Sequence, residues 1–141
     1  MKKVAIIGST GSIGRNTLQV IRAHPDAFCV VGLAAKQNAT LLLKQAEEFR
    51  PELVCLYDPT QASWLAKKLK PLKVRLVTGE SGLMELGRCR TAEQIIFAVV
   101  GAVGLKPMVQ AIEAGKSVAI ATKEPLVMAG ELLARKAVER G

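Results

Sequence analysis

The sequence predicts an α/β fold of the Rossmann type, a doubly wound, mostly parallel six-stranded sheet with helices on both faces. Three observations carry that reading. Half of the 141 residues are hydrophobic but only 4% are aromatic, a balance that suits strands buried as short aliphatic runs. Six such runs alternate with amphipathic stretches, and parallel strands need crossover connections of that kind. A turn with three glycines, Gly8, Gly11 and Gly14, stands between the first run and the first amphipathic stretch.

The elements are expected in the following order. Residues 4–7 form the first strand and 12–23 the first helix, with His24 at its end in a capping role. Residues 28–34 give strand two, and 40–49 a helix for which Asn38 is the cap. Strand three covers 53–56 and ends at Asp58-Pro59, an N-cap with proline at the first helical position. The next helix runs from Thr60 to about Leu69, where Pro71 closes it. Strand four spans 74–77, a short helix 81–86, and strand five 94–99. A glycine-bearing turn then leads to a helix over 107–114 with Gly115 as its C-cap. Strand six covers 117–121, and a last helix runs from Pro125 to about Arg140, with Leu126, Ala129, Leu133 and Ala137 on one face.

One domain is expected to fill residues 1–141, with no linker, repeat or low-complexity segment. Lys2 and Lys3 precede an aliphatic run that Gly8 interrupts, too short for a secretory signal. The longest apolar stretch, 95–105, contains Gly101 and Gly104 and is too short to span a bilayer. Cys29, Cys55 and Cys89 are odd in number and fall in or beside apolar segments, as expected of free thiols in a reduced compartment. The expectation is a cytoplasmic protein with no membrane partner.

The net charge of +8 raises the question of nucleic acid. The basic residues are, however, spread along the chain and mixed with acids. The densest run, Lys67, Lys68, Lys70, Lys73 and Arg75, has only Trp64 near it for base stacking, so it reads as a solvated helix face. No nucleic-acid partner is expected, although the charge favours a phosphate-bearing ligand.

The sharpest signal is Gly8-Ser9-Thr10-Gly11-Ser12-Ile13-Gly14. Glycines in such a turn permit a tight bend, let the backbone approach a pyrophosphate, and allow the helix to pack on the sheet. The helix N-terminus adds free N–H groups and a positive dipole end, and Thr10 and Ser12 add hydroxyl donors. The spacing is G-x-x-G-x-x-G rather than the commoner G-x-G-x-x-G, so position in the chain, not spacing, makes the signal specific. At the end of strand two, dinucleotide enzymes that use NAD place an acid for the ribose 2′-OH. Here the residues are Ala34-Ala35-Lys36-Gln37-Asn38. With no carboxylate to repel a 2′-phosphate, and Lys36 able to pair with one, NADPH is the expected cofactor.

Two further segments fall at the carboxyl edge of the sheet, where ligands lie in this fold. Residues 99–104, with Gly101 among them, are small and apolar, either to admit a flat ring or merely to make the turn. Thr122-Lys123-Glu124-Pro125 follows strand six. Lys123 and Glu124 suit a substrate phosphate or carboxylate and a cofactor ribose, or are a solvated charge and a first-turn acid that satisfies the helix dipole. No metal-ligand cluster and no Ser–His–Asp set is present, and no residue stands out as a proton donor. No catalytic residue is assigned.

Taken together, the Gly8–Gly14 turn, Phe49-Arg50-Pro51, Val100-Gly101-Ala102, and Ala114-Gly115-Lys116 leading to Thr122-Lys123-Glu124-Pro125-Leu126-Val127 resemble the 1-deoxy-D-xylulose 5-phosphate reductoisomerase family. The resemblance implies an enzyme of non-mevalonate isoprenoid synthesis that rearranges a phosphosugar and reduces the product with NADPH to 2-C-methyl-D-erythritol 4-phosphate. It further implies Mg²⁺ or Mn²⁺ as Lewis acid and a homodimer for the full-length family. By this match Thr10, Gly11, Ser12 and Ile13 would contact cofactor phosphates and ribose, and Lys36, Gln37 and Asn38 the adenosine end. Thr122 and Glu124 would complete the cofactor site, and Lys123 would reach the substrate. The chain departs from the family at Thr122, commonly Asn, at Pro125, commonly Ser, and in the loop after strand two, where a glycine is common. The metal-binding catalytic domain of the family is not in this sequence, so the chain alone is expected to bind cofactor without turnover.

The competing readings are the cofactor domain of another NADP enzyme and a non-catalytic nucleotide-binding module. A semialdehyde dehydrogenase is the chief example of the first, and it would need an activated cysteine.

Overall fold

The computed structural model describes residues 1–99 and 102–120. Six strands form one sheet: β1 (Lys2–Ile7), β2 (Phe28–Ala35), β3 (Leu53–Leu56), β4 (Arg75–Thr78), β5 (Gln94–Phe97) and β6 (Ser117–Ile120). Five helices alternate with them: α1 (Ser12–Ala23), α2 (Ala39–Phe49), α3 (Ala62–Leu69), α4 (Gly79–Gly87) and α5 (Leu105–Glu113). The strands lie in the order β4-β3-β2-β1-β5-β6 and every neighbouring pair is parallel.

Two separate cores explain why residues 4–7 of β1 read as one aliphatic run. Val4 and Ile6 pack on one face with Leu18 and Ile21 of α1, Leu42 and Ala46 of α2, and Leu65 and Leu69 of α3. Ala5 and Ile7 pack on the other with Leu83 and Leu86 of α4 and Met108, Ala111 and Ile112 of α5. A central strand covered on both faces has no position for a polar side chain. The register of β1 on β2 shifts between Val4 and Ala5, whose partners are Val30 and Gly32. Val31 is therefore the extra residue of a bulge. A Cβ on Gly32 would stand 2.5 Å from Leu86 Cδ1, so the glycine lets α4 close on the sheet.

Asn38 caps α2 as expected, its side-chain oxygen accepting from the Leu41 amide at 3.1 Å. Asp58 likewise accepts from the Thr60 amide at 3.0 Å and from its hydroxyl at 2.6 Å. His24 holds the C-cap of α1. Cys55 and Cys89 are buried, Cys29 is half-buried, and all three are free. Lys67, Lys68, Lys70, Lys73 and Arg75 are all exposed, although Arg75 also pairs with Glu85.

Several boundaries differ from the sequence reading. The helix expected from Thr60 begins as a 3-10 turn, Pro59–Gln61, before α3. The α-helix ends at Leu69 as expected, two residues before Pro71, and a second 3-10 turn, Lys70–Leu72, carries the chain past the proline to Lys73, whose φ is 60°. Proline at the start of a turn forfeits an N–H that has no partner there. Strand five stops at Phe97, not at residue 99, because β1 turns away at Gly8 and leaves only the Ala98 amide to bond the Ile7 carbonyl, at 2.8 Å. Helix α5 begins at Leu105, two residues before Pro107, which occupies the first turn where amides are unpaired anyway. Its C-cap is Ala114. Gly115, with φ 77°, is the next residue, its amide reaching the Ile112 carbonyl at 3.0 Å while Lys116 reaches Ala111 at 2.9 Å, a Schellman closure. The expected last helix and residue 121 of strand six lie outside the described residues.

Candidate functional site

From β1 the chain steps outward through β2, β3 and β4, then returns to lay β5 against the other side of β1. The helices after β1 and β5 consequently leave on opposite faces of the sheet. The carboxyl ends of those two strands open a crevice, the position at which this topology binds ligands. A cleft of about 520 Å³ lies there. Its lining combines Gly8, Thr10, Gly11, Ser12 and Ile13 from the turn after β1, Ala34, Ala35 and Lys36 from β2 and its loop, and Tyr57 after β3. Leu83 of α4 and Ala98, Val99 and Val103 beyond β5 complete it.

The turn is shaped by its two outer glycines. Gly8 has φ 98°, and a Cβ there would lie 2.6 Å from the Ala98 carbonyl oxygen. A Cβ on Gly14 would lie 2.0 Å from the Gly8 carbonyl oxygen. Gly11 is different: a Cβ there meets nothing closer than the Gly8 oxygen at 3.8 Å, and its φ of −77° suits any residue. The fold requires Gly8 and Gly14, whereas the bare backbone at Gly11 serves the cleft.

The amides of Gly8 and Ser9 both donate to the Ala34 carbonyl, at 2.8 and 2.9 Å. The first bond of α1 is the Arg15 amide to the Gly11 carbonyl at 2.9 Å. Among the described residues, no acceptor receives the amides of Thr10, Gly11, Ser12, Ile13 or Gly14. No side chain caps α1, and its first turn has no acid. Five free donors at the positive end of a helix dipole make a site for an anion.

Lys36 is exposed at the end of β2 and lines the same cleft. The Asp58 amide donates to its carbonyl at 2.7 Å. The Asp58 carboxyl is held below the usual range first by its bonds from Thr60, with the Lys36 charge adding to them. Lys106 of α5 pairs with Glu80 at 2.8 Å, which raises its pKa, and the Tyr57 phenol adds slightly to that shift.

Of the residues the sequence pointed to, Gly8, Thr10, Gly11, Ser12, Ile13 and Lys36 come together around the cleft. Gly14 is buried beneath the turn. Gln37 and Asn38 are not in the lining, and the Asn38 oxygen is committed to capping α2. Gly101, Thr122, Lys123 and Glu124 lie outside the described residues. Tyr57 and Leu83 were missed. Tyr57 directly follows a strand, so it lies at the carboxyl edge by the same rule that located Lys36. Also missed was Gln45, a polar residue on the apolar face of α2. It is buried, and its Nε2 donates to the Ser9 carbonyl at 2.9 Å.

None of the three thiols lines the cleft. Burial, with the Glu85 charge adding, pushes the Cys55 thiol up to about 12. Among the described residues no group of three His, Cys, Asp or Glu side chains could hold a metal ion. No helix among them is long and apolar enough to cross a membrane.

Residues 4–130 match the family model of 1-deoxy-D-xylulose 5-phosphate reductoisomerase. The enzyme of that name from Thermodesulfovibrio yellowstonii is 46% identical over 136 residues, which are 96% of this chain and 35% of the relative. That from Chlorobium phaeobacteroides is 45% identical over 133 residues, 94% of this chain and 35% of the relative. Among solved structures, a DOX-P reductoisomerase in complex with NADPH, fosmidomycin and magnesium superposes with a TM-score of 0.95 at 36% identity, over 100% of this chain and 35% of its own. The Zymomonas mobilis reductoisomerase in complex with NADPH gives 0.93 at 34% identity, over 99% of this chain and 37% of its own. The chain thus spans about a third of the length of these relatives.

Proposed function

The chain belongs to the 1-deoxy-D-xylulose 5-phosphate reductoisomerase family, and on that premise we propose that it is the NADPH-binding domain of such an enzyme. The observation that carries the proposal is the set of unpartnered amides of Thr10, Gly11, Ser12 and Ile13, four residues lining a cleft that also contains Lys36. The amides bind the pyrophosphate, Gly11 gives it close approach to the backbone, and Lys36 pairs with the 2′-phosphate. Ile13 packs on the ribose, and Gln37 and Asn38 border the adenosine end. Gly101, Thr122 and Glu124 extend the cofactor site, and Lys123 reaches the substrate.

The complete enzyme isomerises 1-deoxy-D-xylulose 5-phosphate and reduces the product to 2-C-methyl-D-erythritol 4-phosphate in isoprenoid biosynthesis. Bound NADPH supplies the hydride. The described residues offer no ligand set for the divalent metal; Mg²⁺ or Mn²⁺ would be held by residues in the part of the relatives' length that the chain does not span. We assign the whole of residues 1–141 to the cofactor domain, which is inactive alone. The enzyme is a cytoplasmic homodimer with a phosphosugar substrate. The absence of any thiol from the cleft, and the raised pKa of Cys55, speak against a semialdehyde dehydrogenase, which needs a reactive thiolate.

Paired calorimetric titrations of NADPH and NADH into the chain test the cofactor reading. A charge-assisted bond from Lys36 to the 2′-phosphate predicts NADPH binding about ten- to a hundredfold tighter than NADH. Equal affinities, or binding of neither, would overturn it.

A further inference from the structure

We propose that Gln45 is a positioning residue for the anion-binding turn, its buried amide fixing the Ser9–Thr10 peptide so that the Thr10 N–H is presented to the cleft. The inference rests on the cofactor reading above and adds to it a residue that touches no ligand.

Gln45 lies on the buried face of α2 beside Leu42 and Ala46, where an aliphatic side chain would avoid the desolvation cost of an amide. That cost is real here, because the Gln45 Oε1 finds no partner. What the amide does make is one bond, from Nε2 to the Ser9 carbonyl oxygen at 2.9 Å, across 36 residues of sequence. Ser9 is wholly buried, so its carbonyl has no access to solvent and would be an unsatisfied acceptor without Gln45.

Geometry makes this bond matter at the cleft. The chain has no cis peptide among the described residues, and in a planar trans peptide the C=O and the following N–H point in opposite directions. Holding the Ser9 carbonyl against α2 therefore sends the Thr10 N–H the other way, and Thr10 lines the cleft. If that peptide rotated, the carbonyl would enter the cleft and set the negative end of its dipole against the anion. The same helix starts at Ala39, behind its cap Asn38 and close to Lys36. One rigid element thus sets both the turn that takes the pyrophosphate and the loop that takes the 2′-phosphate.

The test uses the unsubstituted chain with Gln45→Met, which keeps the shape without the donor, and Gln45→Glu, which donates only when protonated. Two readouts are needed: the Thr10 amide ¹⁵N shift without ligand, and NADP⁺ affinity by calorimetry from pH 8 down to pH 5.5, each variant against the unsubstituted chain. Gln45→Met should fold, move the Thr10 resonance, and weaken NADP⁺ about tenfold, the loss of one buried bond. Gln45→Glu should be as weak at pH 8 and recover towards the unsubstituted affinity as pH falls. A folded Gln45→Met variant with unchanged Thr10 shift and affinity overturns the assignment, as does a Gln45→Glu deficit that ignores pH. If Gln45→Met fails to fold, the pH arm of Gln45→Glu decides alone. Failure of both to fold makes Gln45 a packing residue and also overturns the assignment. If the unsubstituted chain binds no NADP⁺, the cofactor reading itself falls and takes this role with it, whatever the Thr10 shift shows.

Discussion

Gly14 packs so tightly under Gly8 that a single added methyl group would stand 2.0 Å from the Gly8 carbonyl oxygen and 2.7 Å from the Ser9 Cα. Both obstacles are backbone, and Gly8 is pinned in turn by its own amide bond to Ala34 and by Ala98 above it. Neither side can give. Gly14→Ala should cost about 3 kcal/mol or more, the upper end of overpacking, read as a lowered urea midpoint. A midpoint within error of the unsubstituted chain would show that the turn relaxes freely.

Gly11→Ala separates binding from folding. The added methyl meets only ordinary contact at 3.8 Å, in a conformation open to any residue. Stability should change by less than about 1 kcal/mol, with a small gain from the stiffer unfolded chain. NADPH affinity should nevertheless fall at least about tenfold, because the methyl holds the pyrophosphate off the amides. Retained affinity would place the phosphate elsewhere.

Helices α1 and α2 are joined at the surface by the two-armed Arg22–Glu48 ion pair, one arm from Arg22 Nη2 to Glu48 Oε1 at 2.8 Å, with Arg22 also 5.6 Å from the Phe49 ring centre. The hydrogen bond from Arg22 holds the Glu48 carboxyl below its ordinary range. A lowered folded-state value means that the pair stabilises above the unfolded glutamate range and that this is lost as pH falls through and below it. Being exposed, the pair is screened by solvent and contributes little. Thermal melts from pH 7 to pH 3 should therefore show a slightly steeper acid decline for the unsubstituted chain than for Glu48→Gln. Parallel curves would mean that the pair contributes nothing.

Much of this cleft is legible in the sequence because its chemistry is local. Gly8, Gly11 and Gly14 follow an aliphatic run at fixed spacing, and the missing acid at residues 34–38 is a fact about one strand end. What could not be read was adjacency. Alternating elements imply parallel strands, but nothing in the pattern of Gln94–Phe97 says that β5 returns to lie against β1, and that pairing creates the crevice. Tyr57 and Leu83 enter the cleft through strand order rather than through a motif of their own. Pro107 differs for another reason. As a boundary it places the helix start at residue 107, whereas a proline anywhere in the first turn forfeits no bond, and α5 begins two residues earlier, at Leu105. Gln45 was visible as a polar residue on an apolar face, but its partner, the Ser9 carbonyl, is a backbone atom that no side-chain pattern reports.

The thiols should react in an order set by burial. Cys55 is fully buried and its thiol is pushed up to about 12, first by desolvation and then by the Glu85 charge. It therefore stays protonated in the fold, and the stability tied to the neutral thiol is lost only as pH rises beyond the unfolded thiol range towards that value. Brief iodoacetamide treatment at near-neutral pH should modify half-buried Cys29 before Cys55, with Cys55 labelled only under denaturant. Fast native labelling of Cys55 would contradict this packing and revive the dehydrogenase alternative.

In the proposed site, Lys36 is the residue on which cofactor choice would turn. It stands at the carboxyl end of β2, where an acid would otherwise engage a 2′-hydroxyl, and the nearby Asp58 is occupied with Thr60. Lys36→Gln removes the charge but leaves the turn and its amides intact. NADPH should weaken by about ten- to a hundredfold, the worth of a charge-assisted bond, while NADH, which lacks the 2′-phosphate, should bind as before. Lys36→Glu should go further and reverse the preference, since a carboxylate repels the phosphate and can accept from the ribose hydroxyl. Paired titrations of both cofactors into each variant give the answer as a ratio, which cancels any general effect on folding. If the ratio does not move in either variant, the 2′-phosphate is read by other groups, and the assignment of Lys36 falls while the glycine turn stands.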